Sequence, residues 1–360
     1  MNRRNYLLFI FIVAASFAPL FVLWNTTSLY EKVDEPLDYN APPSLRNLKF
    51  NAKDEQDEIN TKSYRLERYK QRYHYLPPSP YLSNHTKSTK LMCGTSPDYS
   101  TYFSQTIKTR SANREDLDIY KLLFKDHWKN GTKGGVVELG AYNGIQESNS
   151  RFFEYCLGWE TLLIEGNPRM FKSLVLNRPH AHKFNFAPSC TEQEDLANKT
   201  VQFDYVIWLN AGLGATVKTA YTNDTRAKKV DVPCGSLTQV LLDVFPNGHV
   251  SFFSLDVEGS EHLVLRNIDF SKVFVETLMV EHYNIFCKRS ECESRDQFRK
   301  IMHDNGYIRF TQAIKKSDLF IHPLSKHLED VLKNKKLKEE YERFMLNKNS
   351  SKAIPKNFLA

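Results

Sequence analysis

A chain of 360 residues is long enough for two domains, and its 41% hydrophobic and 25% charged residues are those of a globular protein, which excludes a mainly disordered one. The net charge of +7 is mild, and the basic residues are scattered apart from Lys333, Lys335, Lys336 and Lys338. That cluster reads as a solvated helix face. With no basic patch interleaved with aromatics, no nucleic-acid partner is expected.

At the N-terminus, Arg3 and Arg4 precede an uncharged run from Tyr6 to Trp24, 19 residues long. A bilayer-spanning helix needs roughly 20 residues, whereas signal-peptide cores run to about 7–15. Residues 1–5 therefore read as a cytosolic tail and 6–24 as a signal anchor, with the membrane as partner. A cleaved signal peptide is the alternative. The positive-inside rule puts everything after Asn25 in the lumen or outside the cell. The expected location is thus a type II position in the secretory pathway: endoplasmic reticulum, Golgi, endosome or plasma membrane. Sequons at Asn25, Asn84, Asn130, Asn198, Asn223 and Asn349, and the even count of 6 cysteines, agree with that. Cys287 and Cys292 bracket a short loop and are expected to pair, while the other pairings are not readable. Zinc spacing is absent, so no metal is expected.

Residues 25–110 read as stem and linker, rich in charge, tyrosine and proline, with one short helix at 54–73. From 111 to 325 strands and helices alternate. Helices are predicted at 116–128, 146–156, 236–245, 260–268 and 294–304. Strands are predicted at 135–139, 160–168, 182–189, 250–259 and 275–283, with an antiparallel excursion at 200–233 and closing strands at 307–322. Pro168 is placed to open a helix, and Ser260 to cap one with Glu261 in its first turn. The pattern is α/β: a doubly wound, mainly parallel Rossmann-like sheet with a closing antiparallel strand. Residues 326–360 read as a polar helical tail without a core face.

In such sheets ligands sit at the carboxyl ends of strands. The first end is Glu138-Leu139-Gly140-Ala141-Tyr142-Asn143-Gly144. A pyrophosphate loop wants G-x-G-x-x-G, and Tyr142 spoils it. Glu138 would also repel a phosphate. A phosphate-free cationic donor, S-adenosylmethionine, suits the acid better. Glu165, ending the second strand 25 residues after Gly140, is placed to hold ribose hydroxyls. Asp256 and Glu258 end a third strand. Their roles are open between orienting the donor, acting as base and binding a metal. They face one side if that strand runs on through them, and their facing is unknown if it ends sooner.

The segments "VVELGAYNGIQES", "LLIEGNP", "VPCGSLTQVL" and "FFSLDVEGSEHLVLRNIDF" resemble the FkbM family of S-adenosylmethionine-dependent methyltransferases over residues 134–323. The resemblance implies a seven-stranded methyltransferase sheet and O-methyl transfer to a sugar or polyketide hydroxyl. It implies donor contacts from Glu138, Gly140, Ala141, Gly144 and Glu165, with Asp256 and Glu258 near the reaction centre. His282, ending the next strand, is a third candidate base. Where FkbM proteins commonly carry aspartate, this chain has Glu138, and Tyr142 interrupts its loop. The anchor-and-stem layout resembles the animal protein Star group, which implies a second reading: a non-catalytic protein moving membrane cargo. A glycosyltransferase is a third reading, for which Asp256-Val257-Glu258 is a loose D-x-D match.

Overall fold

The computed structural model describes residues 62–80, 89–105, 110–126, 133–205, 228–282 and 289–350. The anchor at 6–24 lies outside them, and among the described residues no helix is long and apolar enough to cross a membrane.

The core is a sheet of 7 strands. Five are parallel: β1 (Gly135–Leu139), β2 (Glu160–Ile164), β3 (His182–Phe184), β6 (His249–Leu255) and β7 (Phe274–Glu281). The chain fills one side with β2 and β3, then crosses to β6 and β7 on the other; with β8 (Ile308–Ile314) and β9 (Ser317–Ile321) the order is β3-β2-β1-β6-β7-β9-β8. The antiparallel pair β8 and β9 closes the sheet against β7. Strands β4 (Thr200–Asp204) and β5 (Lys229–Pro233) form a separate antiparallel ribbon, and the residues between them, 206–227, are not described.

Both faces of the sheet are buried, as parallel strands require. Side-chain alternation sends Val137, Leu139, Phe253 and Leu255 to one core, and Val136 and Phe252 to the other. The first core is completed by Leu237, by Val240 and Leu241 of Thr238–Val244, and by Phe298 and Met302 of Arg289–Asp304. The second takes Phe152 and Phe153 from Arg151–Leu157 and Leu123 and Phe124 from the helical turns at 115–124. Pro168 opens the helix Pro168–Asn177, with Asn167 Oδ1 accepting from Arg169 N–H at 3.0 Å.

Several elements differ from expectation. The helix Lys62–Tyr73, in the supposed stem, puts Tyr69 and Tyr73 into the first core, followed by Tyr75. Its arginines reach acids far along the chain: Arg65 forks onto Asp243 at 2.8 Å, and Arg68 and Arg72 both bind Asp195, at 2.6 and 2.8 Å. The polar tail does have a core face, because Val331 and Leu337 are buried in the second core. The helix expected from 146 starts only at Arg151, since the preceding residues are held to Glu138. Strand β6 ends at Leu255, before Asp256. Ser260 makes no side-chain cap; the Glu261 carboxylate accepts the N–H of Val257 and of Gly259 instead, at 3.1 and 3.0 Å.

Disulfides join Cys93 to Cys156 and Cys190 to Cys234. The expected Cys287–Cys292 pair falls partly outside the described residues, within which Cys292 is disulfide-bonded. Such bridges accord with an oxidising compartment.

Candidate active site

The strand order reverses between β1 and β6, and a cavity of about 110 Å³ opens there, at the carboxyl ends of β1, β2 and β6. Glu138, Gly140, Ala141, Glu165, Asp256 and Glu258 all border it. Gly144 and His282 do not.

Gly140 has φ +88°, and a Cβ there would lie 1.7 Å from the carbonyl oxygen of Asp256. No other residue lets the β1 loop press so closely on the end of β6. Asp256 N–H donates to Leu139 O at 3.0 Å and locks the two together. Gly144 serves a different purpose. Its missing side chain makes room for Arg178, whose Cγ would stand 2.6 Å from a Cβ. Arg178 is fully buried, donates to Glu154, and reaches Gly144 O, Ser148 Oγ and Ser150 Oγ, each at 3.0 Å.

Glu138 points into the same network. Its carboxylate accepts from Ser148 Oγ at 2.7 Å, Ser150 Oγ at 2.6 Å and Asn149 N–H at 2.5 Å. The acid borders the cavity but spends most of its acceptor capacity on shaping the loop. Glu165 is arranged otherwise. One carboxylate oxygen accepts Tyr142 N–H and the other Asn167 N–H, both at 2.7 Å. Each oxygen keeps a second lone pair. Burial pushes this carboxyl up to about 7, against those two hydrogen bonds.

Across the cavity, burial raises Asp256 to about 6. Its carboxyl lies beside that of Glu281, which burial and the neighbouring Asp256 push well up. Glu258 sits beside them with φ +56°, in the left-handed region. Oxygens of Asp256, Glu258 and Glu281 lie within 4.8 Å of one another. Carboxyls this close oppose one another's ionisation, so the group reads as a proton-sharing cluster. His282, one residue on, takes the opposite face by strand alternation and stands 3.5 Å from Asp318. It is not positioned as a base.

One wall of the cavity is formed by Phe186, Ala187, Pro188 and Phe203. Gly166 exists for Phe203, whose ring would be 2.6 Å from a Cβ. The Cys190–Cys234 bridge pins this wall to the end of β5. Residues missed from sequence are Glu281, Arg178 and this aromatic wall. Only Glu281 had a local signal, as an acid at a strand end.

The donor set suits S-adenosylmethionine. Among the described lining residues five are acids and none is Lys, Arg or His. A pyrophosphate would be repelled there; a sulfonium and an ammonium are attracted. An apolar wall beside an acid with free lone pairs matches an adenine next to a ribose diol.

Residues 138–309 match the model of the methyltransferase FkbM domain. The search of curated proteins returns no match. Solved structures similar to this chain include Aeropyrum pernix fibrillarin in complex with natively bound S-adenosyl-L-methionine, at 11% identity and TM-score 0.28, covering 53% of this chain and 66% of that one. A precorrin-6y C5,15-methyltransferase from Geobacter metallireducens shows 10% identity and TM-score 0.29, covering 59% and 92%. A SAM-dependent methyltransferase from Aquifex aeolicus shows 12% identity and TM-score 0.27, covering 57% and 92%. At those scores the likeness carries no weight of its own beside the domain match and the strand order. The chain carries an FkbM-type, S-adenosylmethionine-dependent methyltransferase domain.

Proposed function

We propose that this protein is a membrane-anchored O-methyltransferase acting on a hydroxyl, such as that of a sugar, in the lumen of the secretory pathway. The anchor at 6–24, the sequons and the disulfides support that placement. The observation that carries the chemistry is the cavity at the switch point, lined by acids and by no described cation.

Bound S-adenosylmethionine would supply a methyl group made electrophilic by the adjoining sulfonium. Glu165 would accept the ribose hydroxyls through its two spare lone pairs. Phe186 and Phe203 would flank the adenine and keep water from it. The Glu138–Arg178 network holds the loop after β1 in one shape, so the site is formed before the donor arrives. Asp256 takes the acceptor's proton. Raised only to about 6, it is ionised at neutral pH and more basic than an ordinary aspartate. Aligning acceptor and donor accounts for much of the rate in such a transfer.

Calorimetry of the full-length chain in detergent with S-adenosylmethionine tests this reading. Wild type is expected to bind, and Glu165→Ala to bind roughly 100-fold more weakly, about 1.4 kcal/mol for each of two ribose hydrogen bonds. No heat with wild type would overturn the enzyme reading and favour a non-catalytic role in moving membrane cargo.

A further inference from the structure

The parallel register of β6 and β7 sets Leu255 beside Val280. The next residues, Asp256 and Glu281, therefore leave the sheet side by side, with carboxylate oxygens within 4.8 Å of one another. Two carboxyls so close in one site oppose each other's ionisation, which favours the state in which one of them keeps a proton. Acids bear on them from several elements: Glu138 from β1, Glu165 after β2, Glu115 from the helix Glu115–Ile119, Glu258 from the loop, and Glu261 from the helix Glu261–Leu265. On the far face of β7, His282 and Arg299 are turned to Asp318. The pair thus sits in a negative field and borders, through Asp256, the donor's cavity.

We infer that Asp256 and Glu281 share a single proton before turnover and hold a second after it, exchanging the donor's positive charge for the acceptor's proton. This rests on the methyltransferase reading above. The balance is as follows: the acceptor oxygen forms a bond to the methyl carbon, the carbon–sulfur bond breaks with its electron pair left on sulfur, and the hydroxyl proton moves to Asp256. Sulfur loses one positive charge, and the carboxyl pair loses one negative charge. The site's net charge is the same before and after. The singly protonated pair favours S-adenosylmethionine; the doubly protonated pair favours the uncharged S-adenosylhomocysteine. Glu281 is the positioning residue of the two: its proton is donated to Asp256, which steadies the ionised Asp256 and fixes its direction. Burial raises both groups.

The test needs no acceptor. Affinities of S-adenosylmethionine and S-adenosylhomocysteine for the full-length chain are measured by calorimetry from pH 5 to pH 8. Both ligands carry the same ammonium and carboxylate, so the ratio of their affinities isolates the sulfonium. Below about pH 6 the preference for S-adenosylmethionine should fall about tenfold per pH unit, the slope of one proton. Asp256→Asn should abolish the slope. Glu281→Gln, which keeps a donor to Asp256, should retain it with an unchanged midpoint. Glu281→Ala should retain the slope but move its midpoint to higher pH, because the stabilising donor is gone. A merely structural Glu281 would weaken both ligands equally and leave the midpoint alone. A ratio independent of pH in wild type, or a slope surviving in Asp256→Asn, overturns the inference. No binding of either ligand would instead overturn the methyltransferase reading itself.

Discussion

Two regions of this domain are crowded with carboxylates, and they behave in opposite ways. Where the helix Lys62–Tyr73 crosses the domain, Asp195 and Asp243 meet three arginines. Burial would raise Asp195, but its hydrogen bonds to Arg68 and Arg72 win, and its pKa is lowered. At the switch point, Glu165 and Glu261 are buried and Asp256 and Glu281 half-buried, but they face backbone N–H groups and one another, and all four are raised. The acids are of the same kind; the partner decides. A buried acid matched with arginine is fastening. A buried acid left among acids is poised to gain or lose a proton, or to welcome a cation.

The largest effect that would sharpen this contrast is expected at Asp243. Its carboxylate receives both arms of Arg65 at 2.8 Å and the Tyr69 hydroxyl at 3.0 Å. Asp243→Ala leaves a buried phenol and a half-buried guanidinium without that acceptor. Urea denaturation should show a loss of about 2–4 kcal/mol. Affinity for S-adenosylmethionine should not change. A matching loss of affinity would mean that the two regions are not separable.

The second effect is a pH dependence with opposite sign at the two regions. Burial lifts Glu261 to about 7 in the folded protein, against an ordinary value of 4.5. Between those values the folded state binds more protons than the unfolded one, so this group's contribution to stability falls as pH rises through the window. Glu261→Gln should therefore gain stability relative to wild type at pH 7.5, by about 1–2 kcal/mol, and show no gain at pH 4.5. Asp195 runs the other way: its contribution is present above its unfolded value and is lost only as pH falls through its lowered folded value. Chemical denaturation at several pH values checks this, and a Glu261→Gln difference independent of pH would break the contrast.

Legibility in the sequence followed the same division. The switch-point acids Glu138, Glu165 and Asp256 could be read because each ends an apolar strand, a signal contained in a few consecutive residues. The parity of the next strand end could not be read. Glu281 and His282 are adjacent, and only the register of β7 on β6 decides which one joins Asp256. The fastening arginines were invisible for another reason. Arg65 and Asp243 are 178 residues apart, so neither carries a local sign of the other. The tail misled because its apolar residues are divided between two helices, Leu328, Val331 and Leu332 in Leu328–Leu332 and Leu337, Tyr341 and Phe344 in Lys335–Ser350, so neither stretch shows a long pattern among its charges.

The smallest predicted effect probes redundancy in the fastening. Asp195 is held twice, by Arg68 and by Arg72, and Arg68 also donates to the Asp195 carbonyl at 2.9 Å. Arg68→Lys keeps the charge and loses the fork, so one of those two bonds goes. Arg72 still holds the other carboxylate oxygen, at 2.8 Å, and stays over the Tyr73 ring. Denaturation should therefore register a loss of about 0.5–1 kcal/mol. If the loss instead matched that of Asp243→Ala, the two arginines would be acting as a single unit. Asp195 would then be as dependent on its exact partners as Asp256 is on Glu281, and the contrast between fastened and poised acids would be one of degree.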